Sequence, residues 1–143
     1  MWGLAYPPTW LGVPVNDRRH HWGLLTLYLL GTVVLFLAPV GEPPALVAQI
    51  PVDSDKLAHF ALLAVLAVLI RWNLTVPKWR GTIAVIAACG YAGIIELLQS
   101  VLPHRTGDPY DLVAGVLGAV VGVGIVGLGA KVARAVEGLW DGT

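Results

Sequence analysis

The stretch LVAGVLGAVVGVGIVGLGA, residues 112–130, holds no charged side chain. A helix rising 1.5 Å per residue needs about 20 apolar residues to cross about 30 Å of hydrocarbon, so this run is long enough to span a bilayer. Working outward from it, three more apolar runs, residues 22–40, 57–72 and 82–102, are separated by short polar or proline-bearing connections. The pattern predicts an all-α, integral membrane four-helix bundle with short loops. The run 57–72 is short, and it reaches the required length by recruiting residues 54–56 with the Lys56 ammonium snorkelling outward.

Composition narrows the function classes. Of 143 residues, 57% are hydrophobic and 13% charged, with nine basic against nine acidic side chains; mean hydropathy is +0.75. Basic residues are thinly spread and flank apolar runs, so no phosphate-tracking surface is present and nucleic acid is not expected as a partner. The lone Cys89 excludes an intramolecular disulfide. Residues 1–21 carry Pro7, Pro8 and Pro14 and no basic segment ahead of an apolar core, which fits an interfacial or cytoplasmic arm better than a cleavable signal. The organisation expected is thus an arm of residues 1–21, a transmembrane domain of residues 22–130 and a cytoplasmic tail of residues 131–143.

The basic residues also sort by side. Arg18, Arg19, Arg71, Lys78, Arg80, Lys131 and Arg134 fall on one side of the four spans, and Lys56 and Arg105 on the other. The positive-inside rule then places both termini in the cytoplasm of a multi-pass plasma-membrane protein. Trp22, Trp72 and Trp79 lie at the same boundary, where amphipathic rings are favoured.

That topology carries two polar strings to the outer face. One is Asp55-Lys56-x-x-His59-Phe60, opening the second span; the other is Glu96-x-x-Gln99, leading through Arg105 to Asp108 and Asp111. Ionisable groups at membrane depth are expensive unless paired, so these are the residues from which function is expected. Asp55 and Asp111 sit where they could cap helices 2 and 4. Glu96 lies about 9 Å below the outer end of its helix, and Arg105 is its expected partner, because a guanidinium can grip a carboxylate with two parallel hydrogen bonds. His59 is the next candidate. The same set reads alternatively as a salt-bridge network that only fixes the loops. In the last span, Gly118-x-x-x-Gly122 is a helix-packing pair, small residues that let backbones approach closely.

Taken together, the two polar strings and the Gly118-x-x-x-Gly122 helix resemble the VanZ-like family, over about residues 53–122. The resemblance implies a membrane protein of the cell envelope, in a family implicated in low-level resistance to teicoplanin, a lipoglycopeptide. One position departs: the family pattern has Asn four residues after the last Asp, where this chain has Gly115.

Three function classes follow. The first is a non-enzymatic protein whose ligand-binding set, Asp55, Lys56, His59, Glu96, Gln99, Arg105, Asp108 and Asp111, holds the headgroup of a membrane lipid or a lipid-linked cell-wall precursor. In it Lys56, Arg105 and two helix N-termini meet phosphate, while the acids and Gln99 hold hydroxyls or amides. The second is an enzyme acting on a lipid phosphate headgroup, with Glu96 or Asp111 as base, His59 as acid or base and a divalent cation between Asp108 and Asp111. The absence of any recognised phosphatase or transferase motif weighs against catalysis. The third is a scaffold for protein partners or for an oligomer formed through helix 4. No cofactor is expected, and no metal site is assigned among the binding residues.

Overall fold

Each apolar run winds into a helix and stops where the sequence places a breaker. The computed structural model describes residues 18–39, 53–75, 78–103 and 107–140. They form α1 (Arg18–Leu37), α2 (Ser54–Asn73), α3 (Arg80–Ser100) and α4 (Pro109–Trp140), with no strand among the described residues. Proline opens α4 at the first helical position, where its missing N–H is no loss. Beyond α2 the chain turns extended at Leu74, three residues before Pro77. Helix α4 continues to Trp140, so the expected tail begins as an extension of the last helix.

Two helices, Arg80–Ser100 and Pro109–Trp140, are long and apolar enough to cross a membrane. The apolar part of α1, Trp22–Leu37, is shorter, and α2 carries Asp55, Lys56 and Arg71 in its end turns.

Helices consecutive in the chain run antiparallel, so α2 and α4 lie parallel, with Gly118 against Phe60 and Gly122 against Ala64. Helices α2 and α3 each touch both α1 and α4, the α2–α4 contact is the most extensive, and α1 and α4 do not meet among the described residues. The core is built mainly from small residues: Ala67, Ala84, Ala88 and Ala119 are fully buried, with Leu63, Leu66, Ile95 and Phe36 filling the remainder. Large apolar side chains point outward instead, among them Leu27, Val34, Ile86, Leu97, Ile125 and Leu128. Small side chains inside and bulky ones outside suit helices that associate by close backbone packing in an apolar solvent.

The expected glycine pair lies in the α2–α4 seam. A Cβ at Gly118 would overlap the Phe60 carbonyl, and one at Gly122 would come within 2.6 Å of the Ala64 carbonyl oxygen. One turn earlier, Gly115 faces Leu63, to which a Cβ would approach 3.3 Å, with Ala92 behind it. The departure from the family pattern therefore falls in the packed seam, where an Asn side chain would have to displace Leu63.

A second polar belt crosses the middle of the bundle. Tyr28 donates to the Leu62 carbonyl at 2.9 Å, and Thr32 and Tyr91 share a hydrogen bond of 2.7 Å. Each bond ties α1 to a different neighbour, which matters for a helix whose own apolar run is short.

Candidate functional site

The C-terminal ends of α1 and α3 and the N-terminal ends of α2 and α4 gather at one end of the bundle, and this brings the two polar strings together. Lys56 joins them: its Nζ lies 2.8 Å from Asp108, 3.0 Å from Asp53 and 3.5 Å from Asp111 Oδ1. The first two contacts are hydrogen bonds. Arg105, the partner expected for Glu96, and His104 lie outside the described residues.

The helix caps differ from expectation by part of a turn. Asp53, not Asp55, caps α2, its carboxylate accepting from the Asp55 N–H at 3.1 Å. Asp108, not Asp111, serves α4, accepting from the Tyr110 N–H at 2.9 Å. Both are reached by Lys56. That hydrogen bond, helped by the backbone N–H each carboxylate accepts, holds the Asp53 and Asp108 carboxyls below the usual carboxylate range. Two consequences bear on the phosphate arrangement expected from the sequence. Both helix N-termini already carry a carboxylate of their own chain, and the Lys56 ammonium is engaged by acids.

Freed from capping, Asp55 and Asp111 do other work. The Asp55 backbone carbonyl accepts from His59 Nδ1–H at 3.0 Å, given the tautomer that makes this nitrogen the donor. The imidazole stacks on Phe36 of α1, with ring centroids 4.3 Å apart. Only 1% of His59 is exposed, and its Nε2 has no hydrogen-bond partner among the described residues. Asp111 is 4% exposed, and its Oδ1 also lacks a hydrogen bond, the Lys56 contact being too long for one.

Glu96 completes the group. Both its carboxylate oxygens are buried without a hydrogen-bond partner among the described residues, and the nearby Asp108 backbone N–H faces it outside hydrogen-bond geometry. His59, Glu96 and Asp111 each present one donor atom, and the three atoms lie within 4.8 Å of one another. Gly107, just ahead of α4, lies against Glu96, where a Cβ would stand 3.1 Å from Oε1. Beside it a shallow groove of about 220 Å³, lined by Glu96, Leu97, Ser100, Gly107 and Pro109, opens to the surface.

Gln99 is brought to the same end but is committed to structure, donating to the Phe36 carbonyl at 2.9 Å and anchoring the last turn of α1. The trio, with His59 and Asp111 buried and Glu96 half-buried, was named in the sequence, yet as ligand-holding groups and not as a metal-capable set. Asp53, Phe36 and Gly107 were missed. The aspartate was findable, because Asp-Ser-Asp-Lys before an apolar run offers an N-cap two residues earlier than the position chosen. No local signal marks Phe36, whose role comes from a helix distant in sequence.

A model of the VanZ/LLP1 family matches residues 14–129, which takes in both polar strings and the glycine pair. An uncharacterized protein of Schizosaccharomyces pombe is 34% identical over 88 residues, 60% of this chain and 52% of that protein, so the chain spans about half the length of the curated relative it matches. No solved structure matches significantly.

Proposed function

The chain belongs to the VanZ/LLP1 family, and on that premise we propose that it is a multi-pass plasma-membrane protein whose polar end holds the headgroup of a membrane lipid. All four helices cross the bilayer in this reading, both termini are cytoplasmic and the charged end faces outward, an orientation that the distribution of Lys and Arg favours. The observation that carries the proposal is the buried acid group of Glu96 and Asp111 beside an open groove, at one end of a bundle whose outer surface is apolar. Unsatisfied carboxylates at that depth are costly unless something supplies donors or positive charge.

The charge balance refines the ligand. Five carboxylates (Asp53, Asp55, Glu96, Asp108, Asp111) stand against Lys56 and His59 among the described residues. An acceptor-rich pocket grips hydroxyls, amides and ammonium groups directly, which favours the sugar or amine portion of a headgroup over its phosphate. A relative in a yeast favours a headgroup common to many membranes. Where the envelope holds a lipid-linked cell-wall precursor, occupancy of this site would contribute to teicoplanin resistance by shielding the drug's target.

Purification from native membranes in mild detergent, followed by mass spectrometry of the bound lipid, tests the proposal. One lipid class should be enriched over its share of the bulk membrane and lost in Glu96→Gln. A bound-lipid profile equal to that of the bulk membrane would overturn it. The free Nε2 of His59 beside two carboxylates favours a second reading, acid–base chemistry on the same headgroup. Product formed from a radiolabelled lipid phosphate and lost in His59→Asn would move the assignment to an enzyme.

A further inference from the structure

Three features of the His59–Glu96–Asp111 group do not follow from headgroup binding. The donors come from three different helices yet converge within 4.8 Å. They are one imidazole nitrogen and carboxylate oxygens, a mixed set typical of open metal sites with three protein ligands. And the imidazole is already oriented for coordination: Nδ1–H donates to the Asp55 carbonyl while Phe36 stacks on the ring, so Nε2 is left free and aimed at the two acids. A hydrogen bond from the distal ring nitrogen to a backbone carbonyl is the usual support for a metal-bound histidine.

We propose that His59 Nε2, Glu96 and Asp111 bind one divalent transition-metal ion of the zinc–manganese class at the end of the helical bundle. Two buried carboxylates with an imidazole carry a formal charge that a dication cancels, removing the electrostatic cost of placing them together. Donor atoms on a tetrahedral zinc lie about 3.4 Å apart, since each bond is about 2.1 Å. Closing from 4.8 Å needs movements of about 1 Å, within reach of side-chain rotation in Glu96 and Asp111. Three protein ligands leave coordination positions open, and the groove beside Glu96, Leu97, Ser100, Gly107 and Pro109 supplies access to them. Lys56 stands 3.5 Å from Asp111 Oδ1, and its two hydrogen bonds go to Asp53 and Asp108, which are not among the three donors.

The inference is independent of the headgroup reading, because an ion bound in lipid-free detergent supports the metal alone and lipid enrichment in chelator supports the headgroup alone. The full chain, purified in detergent and stripped with EDTA, is titrated with Zn²⁺, Mn²⁺ and Co²⁺ and its metal content measured. The expected result is one ion per chain. Loss of a supporting residue outside the ligand set typically weakens metal affinity by 10–100-fold, so removing a direct ligand by Glu96→Gln or Asp111→Asn should weaken it by more than about 100-fold. Cys89→Ser should bind as the wild type does.

Should both carboxylate variants fail to fold, the wild-type Co²⁺ form decides. Coordination through Nε2 leaves the Nδ1–H proton in place and gives a strongly shifted, exchangeable imidazole resonance, absent from the Zn²⁺ form. Metal content well below one ion per chain with all three metals, unchanged affinity in both carboxylate variants, or a Co²⁺ form without that resonance would overturn the proposal.

Discussion

Substituting Gly118 by alanine adds a single methyl group, but at the tightest point of the α2–α4 seam. The new Cβ would lie 2.7 Å from the Phe60 carbonyl carbon and 2.9 Å from its Cα, with the carbonyl oxygen closer still. These are backbone atoms of a packed helix, so no rotamer change relieves them. Carbon atoms at optimal separation stand about 3.5–4.0 Å apart, so α4 must retreat by about an ångström. A radial gap of 0.5–1 Å forfeits roughly a quarter to a half of each dispersion contact along the seam, and the seam includes Gly115, Ala119 and Gly122 on one side and Leu63, Ala64 and Ala67 on the other. Overpacking of this kind costs about 3 kcal/mol, the upper part of its usual range. The control is Gly124→Ala, six residues further along α4, where nothing lies within 4 Å and the better helix propensity of alanine contributes about 0.5–1 kcal/mol of stability. Denaturant unfolding in detergent, followed by circular dichroism, measures both. If Gly118→Ala proves no less stable than Gly124→Ala, the helices do not meet as described and the reasoning fails.

Two other outcomes follow from the charged end. Lys56→Met leaves three carboxylates without their shared cation and should lower the thermal midpoint, by less than Gly118→Ala because Lys56 remains partly exposed, with Lys56→Arg restoring most of the loss; a midpoint unchanged in Lys56→Met would show the ion pairs to be energetically idle. The stability difference between wild type and Lys56→Met should depend on acid: since the Asp53 and Asp108 carboxyls are held below their ordinary value of 3.8, the contribution is complete above that ordinary range and is lost as pH falls through the lowered values, so the two unfolding curves should converge only at pH below 3.8.

Much of this architecture was legible because a bilayer-length apolar run is a strong signal. Residues 112–130 fix α4, and the placement of breakers fixes the remaining helices to within a few residues. The convergence of the two polar strings was legible for the same reason: four antiparallel helices with short loops leave the start of α2, the end of α3 and the start of α4 nowhere else to go. The details that were not legible depend on fractions of a helical turn. Whether Asp53 or Asp55 caps α2 decides which carboxylate points at Lys56, and both positions carry the same residue type. Lys56 was taken as a phosphate ligand because a lone cation near helix N-termini resembles an anion site. Only the three-dimensional arrangement reveals that Asp53 and Asp108 satisfy both the cation and the helix ends. The helical continuation of α4 beyond Ala130 was not legible for another reason, since the polar residues that end the apolar run carry the helix on, fully exposed, to Trp140.

The packing seam and the charged end are one mechanical unit. Gly118 lies two turns from Asp111 along α4, so the two share a face, and it abuts Phe60, the residue after His59 on α2. The distance between the His59 and Asp111 donors is therefore set by how closely the two backbones approach at Gly118. The same holds across the bundle, where the fully buried Ala84 and Ala88 set the depth of α3 and hence of Glu96 two turns beyond Ala88. A site assembled from three helices tolerates errors of only about half an ångström if its donors are to share a ligand. Small residues at four-residue spacing achieve that tolerance, because backbone against backbone leaves no flexible side chain to absorb a displacement. This explains why a glycine-rich helix delivers a buried carboxylate: close packing below is what holds Asp111 near His59 and Glu96 above.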